Sequence, residues 1–235
     1  MTLLRLFRPT PVLATLALGL ACGDGTGPAT SRNNPGTGSS TLEVTADIDA
    51  NDDPAIIGGF STEYFVSVRD GAGSPVSGAS VIIRNPSLPG GQITLPETGT
   101  GTGDYQLIGN TFPSGDFRLD VAQGTNNVAG VVVGGPGVHN ITTPVKDDTV
   151  AVNQPLLVRW TVPSKAKSAE LETRDFGPIT LPDTGAYQIA GVDNPARPDQ
   201  RIRVFRFNEV DMAGGLLGSR LRVKVRKTVE PIIVQ

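Results

Sequence analysis

Cysteine, histidine and tryptophan occur once each in this chain, and their scarcity removes whole classes of chemistry. Cys22 is the lone thiol, so no disulfide can close within the chain, and zinc sites built from cysteine and histidine lack their parts. The lone imidazole, His139, lies in Gly134-Gly-Pro-Gly-Val-His139-Asn140, a setting that predicts a solvated loop residue between domains rather than a base or ligand. With His139 read as a loop residue, Ser-His-Asp and Cys-His catalysis have no base to use. A Gly-x-Ser-x-Gly turn, a His-Glu-x-x-His pair and a lysine-bearing phosphate loop are all missing. Helical periodicity is scarce too: no window after residue 22 sustains apolar residues at i, i+3, i+4 and i+7 over three turns. The 23 acidic residues leave a glycosidase-type carboxylate pair as the one catalytic arrangement still open.

What the chain has instead is 29 glycines and 19 prolines, spaced between short runs rich in Val, Ile and Thr. Leu42-Glu-Val-Thr-Ala-Asp-Ile48 alternates apolar and polar, as a half-buried strand does. Further strands are predicted near 64–69, 79–83, 105–108, 117–121 and 128–133, then near 156–162, 168–173, 186–190, 201–207 and 219–227. Strands at this spacing without intervening helices predict an all-β protein of two tandem antiparallel β-sandwich domains. Residues 41–141 form the first and 142–235 the second. They differ in charge. The first carries three basic residues (Arg69, Arg84, Arg118) against eleven acidic ones, whereas the second carries fourteen basic against eleven acidic.

Residues 1–22 have the layout of an export signal: Arg5 and Arg8, an apolar stretch from Val12 to Ala21 too short to span a bilayer, then Cys22. Leu18-Gly-Leu-Ala-Cys22 resembles a bacterial lipoprotein signal, although Gly19 stands where the usual pattern has leucine. That resemblance implies lipidation of Cys22, an exported protein, and membrane anchoring at the bacterial cell envelope. The alternative is an ordinary secretory signal followed by an incidental cysteine. Residues 23–40 contain no Val, Ile, Leu or aromatic residue and read as a flexible tether.

An internal repeat runs through the remainder. Ile93-Thr-Leu-Pro-Glu-Thr-Gly99 followed by Tyr105-Gln-Leu107 recurs as Ile179-Thr-Leu-Pro-Asp-Thr-Gly185 followed by Tyr187-Gln-Ile189. Flanking strands align approximately, 64–69 with 156–161, 79–83 with 169–173 and 117–121 with 201–205. Val68-Arg-Asp-Gly-Ala-Gly-Ser-Pro-Val-Ser-Gly-Ala-Ser-Val81, Gly103-Asp-Tyr-Gln-Leu107 and Pro113-Ser-Gly-Asp-Phe-Arg-Leu-Asp-Val121 together are similar to carboxypeptidase regulatory-like (transthyretin-like) sandwiches. The opening stretch also resembles bacterial immunoglobulin-like domains. The match covers about 60 residues and implies an accessory, non-catalytic module. The tyrosines also resemble a tyrosine corner, in which a phenol bonds back to nearby backbone.

Two surface features carry candidate binding chemistry. Asp47, Asp49, Asn51, Asp52 and Asp53 offer oxygen ligands at a density that suits calcium, although the spacing is not that of an EF-hand; turn and strand-end roles are the simpler alternative. Arg220, Arg222, Lys224 and Arg226 share one strand face, and Arg201 and Arg203 one face of the preceding strand. Such a surface serves an external anion, is neutralised by Glu170 and Glu172, or is paired with the acidic first domain. No nucleic-acid partner is expected, because the signal directs export and no aromatic residues interleave the basic positions of 219–227. Trp160, in an alternating run, reads as core rather than a carbohydrate platform. The expected function is therefore a non-catalytic structural or binding module of the cell envelope, without a cofactor. A carbohydrate- or calcium-dependent adhesion module is the alternative, and an envelope hydrolase the third reading.

Overall fold

A computed structural model describes residues 33–235, so the expected export signal, Cys22 and residues 23–32 of the expected tether lie outside the described residues, whereas residues 34–38, expected as flexible tether, are instead paired with residues 128–132. The chain is all-β. Eight strands occupy its first part: β1 (Thr37–Gly38), β2 (Leu42–Asp52), β3 (Phe60–Asp70), β4 (Ser80–Arg84), β5 (Gln92–Thr94), β6 (Asp104–Gly109), β7 (Asp116–Gln123) and β8 (Asn126–Gly134). Eight follow: β9 (Ile141–Thr143), β10 (Thr149–Val150), β11 (Leu156–Trp160), β12 (Ser168–Thr173), β13 (Ile179–Leu181), β14 (Ala186–Ile189), β15 (Arg197–Asp211) and β16 (Arg220–Val234). In β2 the alternation seen in the sequence becomes burial: Leu42, Val44, Ala46, Ile48 and Ala50 are buried while the intervening polar residues face outward.

The repeat is matched strand for strand. In the first copy, β6-β3-β2 face β5-β4-β7-β8; in the second, β14-β11-β9 face β13-β12-β15-β16. The aligned motif takes the same path in both, pairing β5 with β4 and β13 with β12 before crossing to β6 beside β3 and β14 beside β11. Each sandwich encloses a separate apolar cluster, one containing Val44, Val66, Val81, Phe117 and Val131, the other Val158, Trp160, Leu171, Ile202 and Ile232.

The last two strands belong to both sandwiches. Expected near 201–207 and 219–227, they each run for 15 residues. Residues 220–226 of β16 pair in parallel with Thr45–Asn51 of β2, joining the second copy's sheet to the first copy's in one eight-stranded sheet. Leu221, Val223 and Val225 therefore fill the first core, together with Met212, whereas Val229 and Ile232 fill the second. The sequence division at 141/142 gave the whole 201–227 hairpin to the second sandwich; its distal part instead completes the first. Complete burial of each of the three β16 side chains is worth roughly 1.5–3 kcal/mol, so the borrowed strand is a substantial part of the first core.

Along β15 the inward-facing residues record the passage between cores. Ile202 and Val204 are apolar, Arg206 and Asn208 polar, and Val210 and Met212 apolar again. The hairpin tip lies against the chain leading into β2: Ala213 N donates to Pro35 O and Ser40 N to Gly214 O. The approach is so close that a side chain on Gly214 would meet the Thr37 carbonyl carbon at 2.0 Å, which is why the tip requires glycine there.

Candidate functional site

The strand register places the two candidate sites against each other. Arg222 lies opposite Asp47, Lys224 opposite Asp49 and Arg226 opposite Asn51 across the β16–β2 ladder. Arg220 donates both terminal nitrogens to the Asp47 carboxylate at 3.0 and 3.1 Å, and Arg222 Nε adds a third bond at 2.8 Å. Lys224 Nζ stands 4.0 Å from Asp49 Oδ1 and 5.1 Å from the centre of the Phe205 ring. On the other side, Glu172 of β12 takes Arg203 at 2.7 Å and Arg201 at 3.6 Å. The outer face is thus a lattice of paired columns, acid on β12, base on β15 and β16, acid on β2. Glu170 shares the outward face of β12 and has no ion pair among the described residues.

The candidate calcium residues are dispersed by the same geometry. Asp47, Asp49 and Asn51 are alternate residues of one straight strand, about 6.6 Å apart along it, not a loop wrapped around a point. Asp52 accepts from Thr228 N at 2.9 Å and Thr228 Oγ1 at 3.1 Å, while Asp53 caps its turn by accepting from Ala55 N at 2.9 Å. No group of three or more metal-ligating side chains occurs among the described residues. Asp47, Asp49 and Glu63 do line one shallow cleft of ≈ 180 Å³, into which Arg222 projects. Burial pushes the Asp49 carboxyl above its usual range, against the pull of Lys224.

His139 is a correction. It is fully buried, with Nε2 3.0 Å from Val204 O and no partner for Nδ1. Burial, and then the neighbouring Arg206 charge, push its pKa down to about 3, so the ring is neutral. The Gly/Pro-rich segment holding it is covered by β15 at the seam of the two sandwiches.

That seam contains the main feature the sequence reading missed. Arg206 is fully buried and Asp183 nearly so; Nη2 meets Oδ2 at 2.6 Å and Nε meets Oδ1 at 2.9 Å. Arg206 also donates to the carbonyls of Pro136 and Ser164, and Asn208 Nδ2 to Gly134 O at 2.7 Å. Trp160 Nε1 donates to Asp183 at 3.1 Å, so the buried indole belongs to this knot and to the second core, with 4% of its surface exposed. It is no carbohydrate platform. Burial alone would raise the Asp183 pKa, but the bonds from Arg206 and Trp160 outweigh it and hold the carboxyl below its usual range. Parity along β15 was the available signal: with Ile202 and Val204 inward, Arg206 must point inward too.

The tyrosines of the repeat diverge. Tyr105 is buried, and its hydroxyl donates to Val76 O and accepts from Ala79 N, both at 2.8 Å, as a tyrosine corner does. Tyr187 is half-exposed and lines an apolar cleft of ≈ 180 Å³ with Phe176, Ile179 and Ile189. A larger cleft, of ≈ 320 Å³, opens beside the seam, where Lys146, Arg203, Arg226, Asp52, Thr228 and Glu230 are among its lining residues.

The chain has weak structural likenesses to several solved structures. The fibronectin(III)-like modules of Clostridium thermocellum CbhA match at a TM-score of 0.25 and 15% identity, over 77% of this chain and 92% of that one. The Yersinia pseudotuberculosis adhesin InvE matches at 0.25 and 15%, over 80% and 60%, and the tandem Ig repeats of Dlar at 0.28 and 13%, over 83% and 98%. At these scores the likenesses add nothing to what the chain's own sheets establish. No protein-family model matches the sequence. No curated protein matches it either. Among the described residues no helix is long and apolar enough to cross a membrane.

Proposed function

We propose that this chain is a non-catalytic, lipid-tethered module of the bacterial cell envelope, in which two fused sandwiches act as a spacer that presents a binding surface to an anionic partner. The observation that carries the spacer reading is the parallel β16–β2 pairing. A tandem pair joined by a loop alone would hinge, whereas a shared sheet and a buried Arg206–Asp183 knot fix the two halves together. The non-catalytic reading is supported by two side chains that are already committed: Asp47 is bonded to two arginines, and the imidazole of His139 is buried and neutral. The tether is supported by the sequence around Cys22.

Fractionation of the native host tests the anchor. The wild-type chain is expected in the membrane fraction with an acylated Cys22 at its mature N-terminus, and Cys22→Ala in the soluble fraction or unprocessed, with unchanged circular dichroism. A mature N-terminus beyond residue 22 in the wild type overturns the lipid tether.

A further inference from the structure

Most cations of the outer face have a carboxylate within bonding distance, and those that lack enough acid gather at one place. In the ≈ 320 Å³ cleft beside the seam, Arg203 and Arg226 come from neighbouring strands and Lys146 from the β9–β10 connection. Arg201 and Arg203 share Glu172, Arg226 and Lys227 share Asp52, and Lys146 has no ion pair among the described residues. Asp52 accepts one bond from Thr228 on each oxygen and stands 3.8 Å from Arg226 Nε, beyond a hydrogen bond. Glu230, which also lines the cleft, is held by Arg174 at 3.2 Å. The Nε atoms of Arg201, Arg203 and Arg226 are all buried without a partner. Buried donors left unmade are uncommon in folded proteins and each carries a desolvation penalty. Desolvation, reinforced by the like charge of Arg203, depresses the Arg226 pKa. Lys146, Arg203 and Arg226 outnumber the two carboxylates, Asp52 and Glu230, that line the cleft with them, and a bound anion would offset that excess.

We propose that this cleft binds a phosphate or sulfate monoester group, with Lys146, Arg203 and Arg226 supplying the donors. Three cations approaching from a loop and two strands suit a tetrahedral oxyanion, whose oxygens point in different directions, better than a planar carboxylate. The volume falls at the lower end of the range for small-molecule sites, so the group can be carried on something the size of a sugar. The site rests on the reading of the chain as a binding module and not on its lipid anchor. It also moves the anion contact away from Arg220 and Arg222, whose charges Asp47 already satisfies.

Titration of the purified full chain with inorganic phosphate, and separately with inorganic sulfate, tests the site by calorimetry at constant ionic strength set with chloride. Wild type is expected to bind at least one of the two saturably, and the arm with the tighter Kd identifies which ester is the ligand. Lys146→Ser removes an exposed side chain, so folding is preserved, and should weaken binding roughly tenfold, as loss of one charge-assisted donor does. Arg226→Gln should weaken it at least as much, with circular dichroism confirming the fold. Arg222→Gln should leave Kd unchanged. A wild-type chain that binds neither anion beyond chloride overturns the proposal. So does an equal loss in Arg222→Gln and Lys146→Ser, which would make the effect diffuse attraction rather than a site. Neither outcome touches the membrane-fractionation result, so failure of the site and failure of the tether are separable.

Discussion

The two copies of the repeat put one acidic position to opposite uses. Glu97 of the first copy stays within its own loops, accepting from Gly103 N at 2.9 Å, Ser77 Oγ at 2.8 Å and Gly78 N at 3.2 Å, bonds that lower its pKa. Its counterpart Asp183 is buried and holds Arg206, and through Arg206 the carbonyls of the chain that links the sandwiches. The tyrosines that follow show the same division, with Tyr105 pinning its own turn and Tyr187 half-exposed on a cleft wall. The first copy spends its polar residues on closing itself, and the second spends them on joining its neighbour. That asymmetry matches the backbone, since the second copy donates part of β16 to the first.

The sharpest break in this comparison is Arg206→Leu. Asp183 would keep its burial and lose its charge partner, so urea unfolding is expected to show a loss of about 3–5 kcal/mol, the range for breaking a buried pair from one side. The double variant with Asp183→Leu should recover much of it. Glu97→Gln, at an exposed carboxyl, should produce a far smaller change. Comparable losses from the two single variants would mean that the copies do not differ in the way described.

A second test uses pH. His139 is neutral in the folded chain with a pKa lowered to about 3, against 6.5 when exposed, so the unfolded chain takes up the proton first. Stability from this group is present above pH 6.5 and falls on acidification towards pH 3, at a slope approaching about 1.4 kcal/mol per pH unit. His139→Gln should flatten the wild-type curve between pH 6.5 and 5, before most carboxylates titrate. Parallel curves for the two proteins would place the imidazole in solvent after all.

The smallest effect sharpens the comparison between tyrosines. Tyr105→Phe strands a buried N–H together with a partly buried carbonyl and should cost about 1–3 kcal/mol. Tyr187→Phe should move the unfolding midpoint hardly at all.

Much of this architecture was legible before any coordinates. Period-two alternation located the long strands, and the repeated Ile-Thr-Leu-Pro motif anticipated equivalent strand paths. Alternation assigns a face but not a neighbour: the period of 220–226 turns Leu221, Val223 and Val225 inward without showing that the core they fill is the first sandwich's. The charged residues show the same gap: pairing of the basic face with the acidic first domain was one of three readings, and only a parallel ladder between residues 175 positions apart puts Asp47 and Arg222 in one bond. Short strands such as β1, β9 and β10 have too few residues to show a period. His139 misled because glycine and proline signal irregular backbone, not exposure, and here the irregular segment is roofed by β15. Lys146 reaches its cleft from a connection that carries no motif, so only the assembled fold brings it beside Arg203 and Arg226.

The parallel ladder between β2 and β16 also decides how the molecule would bear a load. Tension entering ahead of residue 42 drags β2 towards its own N-terminus, while tension leaving beyond residue 234 drags β16 towards its C-terminus. In a parallel pair those directions are opposed along a common axis, so the bonds linking 45–51 to 220–226 are strained together in shear rather than unzipped singly. The three Asp47 contacts from Arg220 and Arg222 cross the same line and would be stretched with them. A chain held at one end and pulled at the other is therefore clamped at its strongest geometry, and the two sandwiches would yield as one body before either slid past the other.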